Sequence, residues 1–301
     1  MEHLFFVVGP TATGKSKIAA DVAARCGAEI VSADAFQLYR GLPLLTAQPD
    51  AATLRNVPHH LIDCVPVTEE MNAQKFREMV VRAIGEISSR DKPIIVVGGS
   101  GLYIKALTHG LASLPAVDLK LRAKLNALSL DELNAQLAAV DPPAAIKIDR
   151  HHKRRVIRAL EIFAQTNAPA SALRTQWKDA NHAQGVFVFR DRSELYARID
   201  RRVEQMFLDG VIKEVGRITD LSATAAQALG LAQIRQLLAG EVSEPECIAA
   251  IQQATRRYAK RQLTWFRCQT NFEPLNLSLL KDHEAAVDRI LQKAKGSFAL
   301  P

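Results

Sequence analysis

Apolar residues in the first hundred positions come as short unbroken runs, with helically spaced apolar positions between them. Residues 3–8, 29–32, 60–65 and 92–97 are runs rich in Val, Ile and Phe, while 14–25 and 73–90 carry the 3.6-residue period of amphipathic helices. Unbroken runs suit strands buried on both faces. The pattern therefore predicts an α/β fold, a parallel sheet flanked by helices. Past Gly110 the pattern changes: from about 112 to 184 only helical segments appear, punctuated by Asp141-Pro142-Pro143 and Asn167-Ala168-Pro169. A last strand is expected at 185–189, followed by helices at about 193–221, 225–239 and 243–268 and a weaker one near 282–295. The chain should thus divide into an α/β core of residues 1–111, an all-helical insertion of residues 112–184, and residues 185–301 completing the core.

Composition changes this picture little. A chain of 301 residues, 48% hydrophobic, can bury a substantial core. No apolar stretch reaches the roughly 18 residues of a membrane span, and MEHLFFVVGP lacks the charged start and cleavage site of a signal peptide. A cytoplasmic protein is expected. Cys26, Cys64, Cys247 and Cys268 form no CxxC pair, which argues against zinc and against a disulfide framework. The net charge of +7 points to a polyanionic partner, and where the charges cluster matters more than their sum.

The most specific local signal is GPTATGKS, Gly9, Pro10, Thr11, Ala12, Thr13, Gly14, Lys15 and Ser16, set between a strand and a helix. It fits G-x-x-x-x-G-K-[ST], a loop whose backbone N–H groups converge on phosphate oxygens at a helix N-terminus. Lys15 would neutralise a terminal phosphate, and Ser16 would hold a magnesium ion. The loop identifies a bound di- or triphosphate and leaves the reaction open. An energy-coupling NTPase usually ends a hydrophobic strand in a carboxylate, yet Ile94-Ile95-Val96-Val97 runs into Gly98-Gly99-Ser100-Gly101. Asp34 instead leaves the sheet edge that carries the loop, which makes it a candidate general base; a capping or ion-pair role fits it equally. Asp63 fits a structural or magnesium-shell role.

Basic residues gather on two later helices. His151, Arg154, Arg155 and Arg158 share one stripe, opposite Val156, Leu160, Phe163 and Ala164. A solvated face would look the same, but a face with no acid among its cations suits a track for a nucleic-acid backbone better. In ATRRYAKRQLTWFR, Arg256, Lys260 and Arg267 align while Tyr258, Ala259 and Phe266 line the other side. Arg202 lies at the margin of the apolar stripe Leu195, Ile199, Val203 and Met206, where it needs an anionic partner, either a carboxylate or a diphosphate.

Taken together, GPTATGKS, VSADAFQLYRG, TAQP, PHHLID, VVGGSGLYIKAL, DP-PAA, RRVIRALE, LYARIDRRV and ATRRYAKRQLTWFR, in this order from residue 9 to 267, resemble the tRNA dimethylallyltransferases, the bacterial tRNA isopentenyltransferases. The resemblance implies a P-loop NTPase-like sheet and transfer of a dimethylallyl group from its diphosphate to N6 of the adenosine 3′ of the anticodon, in tRNAs reading codons that begin with U. Magnesium would assist, and the loop would hold the leaving group. Carried over, Lys15 and Ser16 bind diphosphate and magnesium, Arg202 is a further diphosphate ligand and Asp34 is the base. Asp34, Ala35, Phe36 and Gln37, together with Arg154, Arg155, Val156, Ile157 and Arg158, fall where the family touches tRNA. Ser100 stands in place of a threonine, Arg122 matches a further tRNA-contacting position, and Arg256 and Lys260 extend the basic surface. The expected partners are tRNA and dimethylallyl diphosphate, the expected state a monomer. Ala35, Leu45, Gln48 and Gly230-Leu231-Ala232 depart from the family pattern, and Gln48 removes a positive charge. A small-molecule kinase and a non-catalytic tRNA-binding protein are the rival readings.

Overall fold

Leu4–Val8 (β1) is buried at all five positions. Leu4, Phe6 and Val8 enter one core while Phe5 and Val7 enter another, the alternation of a strand with no solvent face. Ile94–Gly98 (β4) does the same: Ile94 and Val96 pack on one side, Ile95 and Val97 on the other. The computed structural model describes residues 4–111, 114–173 and 183–298. Its remaining strands are Glu29–Ser32 (β2), His59–His60 (β3), Gln184–Phe189 (β5) and Glu273–Asn276 (β6). All pair in parallel, in the order β3-β2-β4-β1-β5-β6.

Lys15–Cys26 (α1) and His283–Lys295 (α15) cover one face of this sheet. Ala73–Ser88 (α4), Gly101–Thr108 (α5), Arg192–Leu208 (α11), Val211–Gly216 (α12), Leu231–Leu238 (α13) and Glu244–Gln269 (α14) cover the other. The short helices Pro43–Thr46 (α2) and Ala51–Asn56 (α3) lie in the connection from β2 to β3. The chain leaves β1 toward β2 on one side and later returns to β5 on the other, so strand order reverses beside β1. A crevice at such a switch point, outside the carboxyl ends of the strands, is where open α/β sheets bind ligands.

Residues Met1–Thr108 with Asn181–Pro301 make up one compact unit and His109–Ala180 a second. The second unit contains Leu119–Ala127 (α6), Leu130–Val140 (α7), Pro142–Lys147 (α8), Lys153–Thr166 (α9) and Ala170–Leu173 (α10) around its own core of Leu125, Leu133, Leu137, Val156, Ile157 and Leu160. Fully buried Asp141 caps α8 through Ala144 and accepts bonds from the backbone and hydroxyl of Ser171.

Three elements differ from the sequence expectation. The third strand stops after His60 because Leu61 and Asp63 take positive φ, 62° and 51°, which a strand cannot accommodate. The helix expected across 193–221 breaks at Gly210, whose φ of 96° starts a second helix. β6 was not anticipated: its sequence EPLN is polar and carries a proline, tolerated because the strand pairs on one side only.

Candidate active site

The phosphate loop follows β1 directly, and its shape is set by close packing. A Cβ on Gly9 would sit 2.1 Å from the carbonyl oxygen of Val188, so no other residue lets the loop leave β1 beside β5. Ala12 and Gly14 both take left-handed conformations, φ 63° and 91°. Arg198 Nε donates to the Ala12 carbonyl and Arg190 Nε to the Thr13 carbonyl, both at 2.8 Å. Gln262 Oε1 accepts from Thr11 N–H, while its Nε2 donates to the Gly99 carbonyl, both at 2.9 Å. These bonds tie down the loop carbonyls, leaving the N–H groups of the first turn of α1, which have no intrahelical partner, to face a ligand.

Lys15, Ser16, Asp34 and Arg202 line one cavity of about 400 Å³, together with Thr11, Gly14, Gln37 and Thr46. Among the described residues, Lys15 Nζ bonds only the Pro10 carbonyl, at 3.2 Å. Arg202 Nη1 donates to the Thr11 hydroxyl at 2.9 Å, and no ion pair to a carboxylate forms among the described residues. The carboxylate alternative for Arg202 is therefore not realised. Burial pulls the guanidinium below its ordinary value, with nearby Asp34 acting against it. Three cations, Lys15, Lys17 and Arg202, against two carboxylates, Asp34 and Asp209, leave the cavity lining net positive, a ready-made anion site.

Burial lowers Lys15 to about 8; Asp34 opposes that shift and Arg202 adds to it. The sign follows directly. Below pH 8 the free protein carries an ammonium at this position, and above it a neutral amine. Affinity for inorganic diphosphate should hence fall as pH rises through 8, by up to about tenfold per unit, with a proton taken up on binding. Calorimetry in buffers of different ionisation enthalpy measures that uptake. A Lys15→Met variant should lose the Lys15 share of both, keeping only what the diphosphate's own ionisation contributes.

Asp34 Oδ1 accepts from Phe36 N–H at 2.9 Å and from Gln37 N–H at 3.4 Å, holding the turn after β2. Its other oxygen has no hydrogen bond among the described residues. Ser100 Oγ accepts from Ala35 N–H at 2.9 Å, which locks the turn after β4 to the turn after β2. The far wall, residues 43–48, belongs to no strand and is pinned by side chains. Glu214 accepts from Leu44 and Leu45 N–H at 2.9 and 2.8 Å, and burial raises its carboxyl. Gln48 Nε2 donates to the carbonyls of Gln37 and Tyr39, both at 3.1 Å, so the departure at this position trades a charge for a clamp.

A smaller compartment of about 50 Å³ shares Thr11, Asp34, Thr46, Arg202 and Met206 with the main cavity. Its other lining is mostly apolar: Phe36, Leu45, Ile199, Val203, Leu229 and Ile251, with Thr255 and Tyr258. Burial and Asp34 push the Tyr258 phenol well above its ordinary value.

The remaining expected residues separate into two groups. In the second unit, Arg154 and Arg155 are exposed, while Val156 and Ile157 are buried in its core and supply the packing that orients them. Arg122 and Arg158 instead grip the fully buried carboxylate of Glu161, Arg122 Nη2 at 2.6 Å and Arg158 Nη1 at 3.2 Å. The basic stripe therefore does not lack an acid: Glu161, three residues beyond Arg158 on the same helix, pairs with it. In the first unit Lys260 is exposed, whereas Arg256 pairs with Asp200 and lies over the Tyr196 ring. Asp63 is exposed and accepts from Gly41 N–H; its role is in the loop, outside the cavity.

Arg190, Arg198, Gln262 and Glu214 were not singled out from the sequence. Gln262 had a signal: it interrupts the buried stripe Ile251, Thr255, Ala259 and Phe266, where a polar group needs partners. The others had none.

Ser16 also tests the fit of magnesium. No cluster of three or more His, Cys, Asp or Glu side chains suited to a metal exists among the described residues. Magnesium is commonly held by one or two protein oxygens together with phosphate and water, and the Ser16 hydroxyl at the loop meets that need.

The IPP transferase family model matches residues 37–269. The tRNA dimethylallyltransferase of Akkermansia muciniphila is 40% identical over 288 residues, 96% of this chain and 98% of that protein. The tRNA dimethylallyltransferase 1 of Citrifermentans bemidjiense is 43% identical over 265 residues, 86% of this chain and 87% of that protein. Among solved structures, the full-length tRNA isopentenylpyrophosphate transferase of Bacillus halodurans superposes with a TM-score of 0.72 at 34% identity, covering 99% of this chain and 97% of that one.

Proposed function

The chain belongs to the IPP transferase family, and on that premise we propose that it transfers the dimethylallyl group of dimethylallyl diphosphate to N6 of the adenosine 3′-adjacent to the anticodon, in tRNAs reading codons that begin with U, releasing diphosphate. The observation that carries this reading is the union, in one cavity, of a phosphate loop, the Lys15 and Arg202 cations and the Asp34 carboxylate, continued by an apolar compartment. A kinase would need space for a nucleoside and an acceptor; here the space beyond the cations is small and greasy.

Loop amides, Lys15 and Arg202 would bind the diphosphate and meet the charge that grows on it as the allylic C–O bond breaks. Magnesium bound through Ser16 would supply further neutralisation of that charge. Asp34 would accept the N6 proton as the new C–N bond forms, since an adenine amine is a weak nucleophile. Ser100 would hold Ala35, and through it the turn that presents Asp34. The target base would have to leave its stack to reach so enclosed a site. One chain supplies every residue used, so a cytoplasmic monomer is the expected working form. The test is incubation with labelled dimethylallyl diphosphate and mixed tRNA. Labelled N6-dimethylallyladenosine supports the reading, and ATP consumption without that product overturns it.

Exposed Arg154, Arg155 and Lys260 would meet the tRNA backbone. Replacing Arg154 and Arg155 together by Ala should make the slope of log K against log salt shallower by about 0.7 to 1 per lost contact. Arg158→Ala should act differently, lowering melting temperature because it removes a partner from buried Glu161. Filter binding across a salt series and thermal melts separate the two groups.

A further inference from the structure

Two glutamines tie the turn that presents Asp34 to the wall of residues 43–48, reaching across in opposite directions. Gln37 Nε2 donates to the Ala47 carbonyl at 2.9 Å, and Gln48 Nε2 donates back to the Gln37 carbonyl at 3.1 Å. Both amides have their orientation fixed. Gln37 Oε1 accepts from the Ser32 hydroxyl at 3.0 Å, which leaves its Nε2 to donate. Gln48 Nε2 also meets the Tyr39 carbonyl at 3.1 Å, and only an amide nitrogen can serve two carbonyls. The Gln37 carbonyl takes its second bond from Asp63 N–H, at 2.9 Å, so both of its lone pairs are engaged. Gln37, Gln48 and Asp34 all line the diphosphate cavity.

The wall gives Gln48 a fixed base to act from. Glu214 holds the N–H groups of Leu44 and Leu45, and Gln48 N–H bonds the Pro43 carbonyl at 3.0 Å. Gln37 then joins the two sides, since its N–H donates to Asp34 Oδ1 while its carbonyl accepts from Gln48. We propose that Gln48 is a positioning residue, which by holding Gln37 aims the second oxygen of Asp34 at the adenine amine. This rests on the proposed prenyl transfer with Asp34 as base, and adds the group that sets where the base stands. The role requires no contact between Gln48 and the diphosphate. Its effect can still be large, because a misplacement of about 1 Å at a reacting group costs up to roughly 10²-fold in rate.

The experiment measures kcat and KM for dimethylallyl diphosphate at saturating tRNA, for Gln48→Met made alone and made together with Asp34→Asn. Methionine keeps the length and removes the donor. Alone, it should lower kcat by about 10- to 10²-fold and leave KM nearly unchanged. With Asp34→Asn already present it should cost little more, as expected of two residues in one hydrogen-bonded chain. Gln48→Lys restores a donor and should recover most of the lost kcat. Gln48→Asn, one methylene too short to span both carbonyls, should behave like Gln48→Met and keeps the test open if that variant fails to fold. Equal losses with and without the Asp34 carboxylate, or a loss confined to KM, overturn the inference, because they mark Gln48 as a support of the cavity wall alone. Normal turnover in Asp34→Asn, or no prenylation of tRNA by the unaltered protein, instead overturns the reading beneath it.

Discussion

Asp34→Asn is expected to lower kcat by about 10²- to 10⁴-fold, the usual share of a general base, with little change in affinity for either substrate. The amide keeps an oxygen for the Phe36 and Gln37 N–H groups that Asp34 Oδ1 now serves, so the turn after β2 should survive. What it loses is the ability to take a proton at neutral pH. Two other roles predict different results. A pure cap predicts lower melting temperature with near-normal turnover. A magnesium-shell ligand predicts weaker diphosphate binding, partly restored by more metal. Turnover, diphosphate affinity across magnesium concentrations and melting temperature on this one variant separate the three, and near-normal turnover removes Asp34 as the base.

Arg202→Met should cut kcat by roughly 10²- to 10³-fold, comparable to removing one preorganised donor from a charge-stabilising site. The stability effect should run the other way. Arg202 is held by a neutral hydroxyl, with the Lys15 ammonium nearby, and neither Asp34 nor Asp209, the carboxylates lining the same cavity, forms an ion pair with it among the described residues. A desolvated cation without a paired anion costs stability until a ligand supplies the charge. Methionine keeps the length and removes that cost, so the melting temperature without ligand should hold or rise while the stabilisation conferred by added diphosphate shrinks. A fall in melting temperature with unaltered activity per folded molecule would instead mark Arg202 as a structural residue.

Activity loss without stability loss is the expected signature of this cavity, since its cations are arranged for a ligand. The second unit shows the opposite arrangement. There Glu161 is fully buried, and Arg122 and Arg158 are held to it rather than to solvent. Both were expected at the tRNA surface from sequence, where their spacing is indistinguishable from that of Arg154 and Arg155. Arg122 reaches Glu161 from another helix, which no local spacing reveals, whereas Arg158 meets it three residues along its own helix.

The sequence by itself determined whatever depends on near neighbours. Apolar runs buried on both faces specify central strands, and GPTATGKS specifies a left-handed, glycine-bounded turn into a helix, because dihedral preference and side-chain periodicity act over a few residues. Asp34 was legible for the same reason, sitting where a strand ends, and Ser100 only through the family resemblance. The tertiary structure alone decided how these pieces are held. Gln262 reaches Thr11 across 251 residues of chain and Glu214 reaches Leu44 across 170. β6 exists only because β5 offers it an edge. A hydrogen-bond partner or an open sheet edge so distant in sequence leaves no local imprint, since its energy depends on where folding brings the second group and not on the residues beside the first.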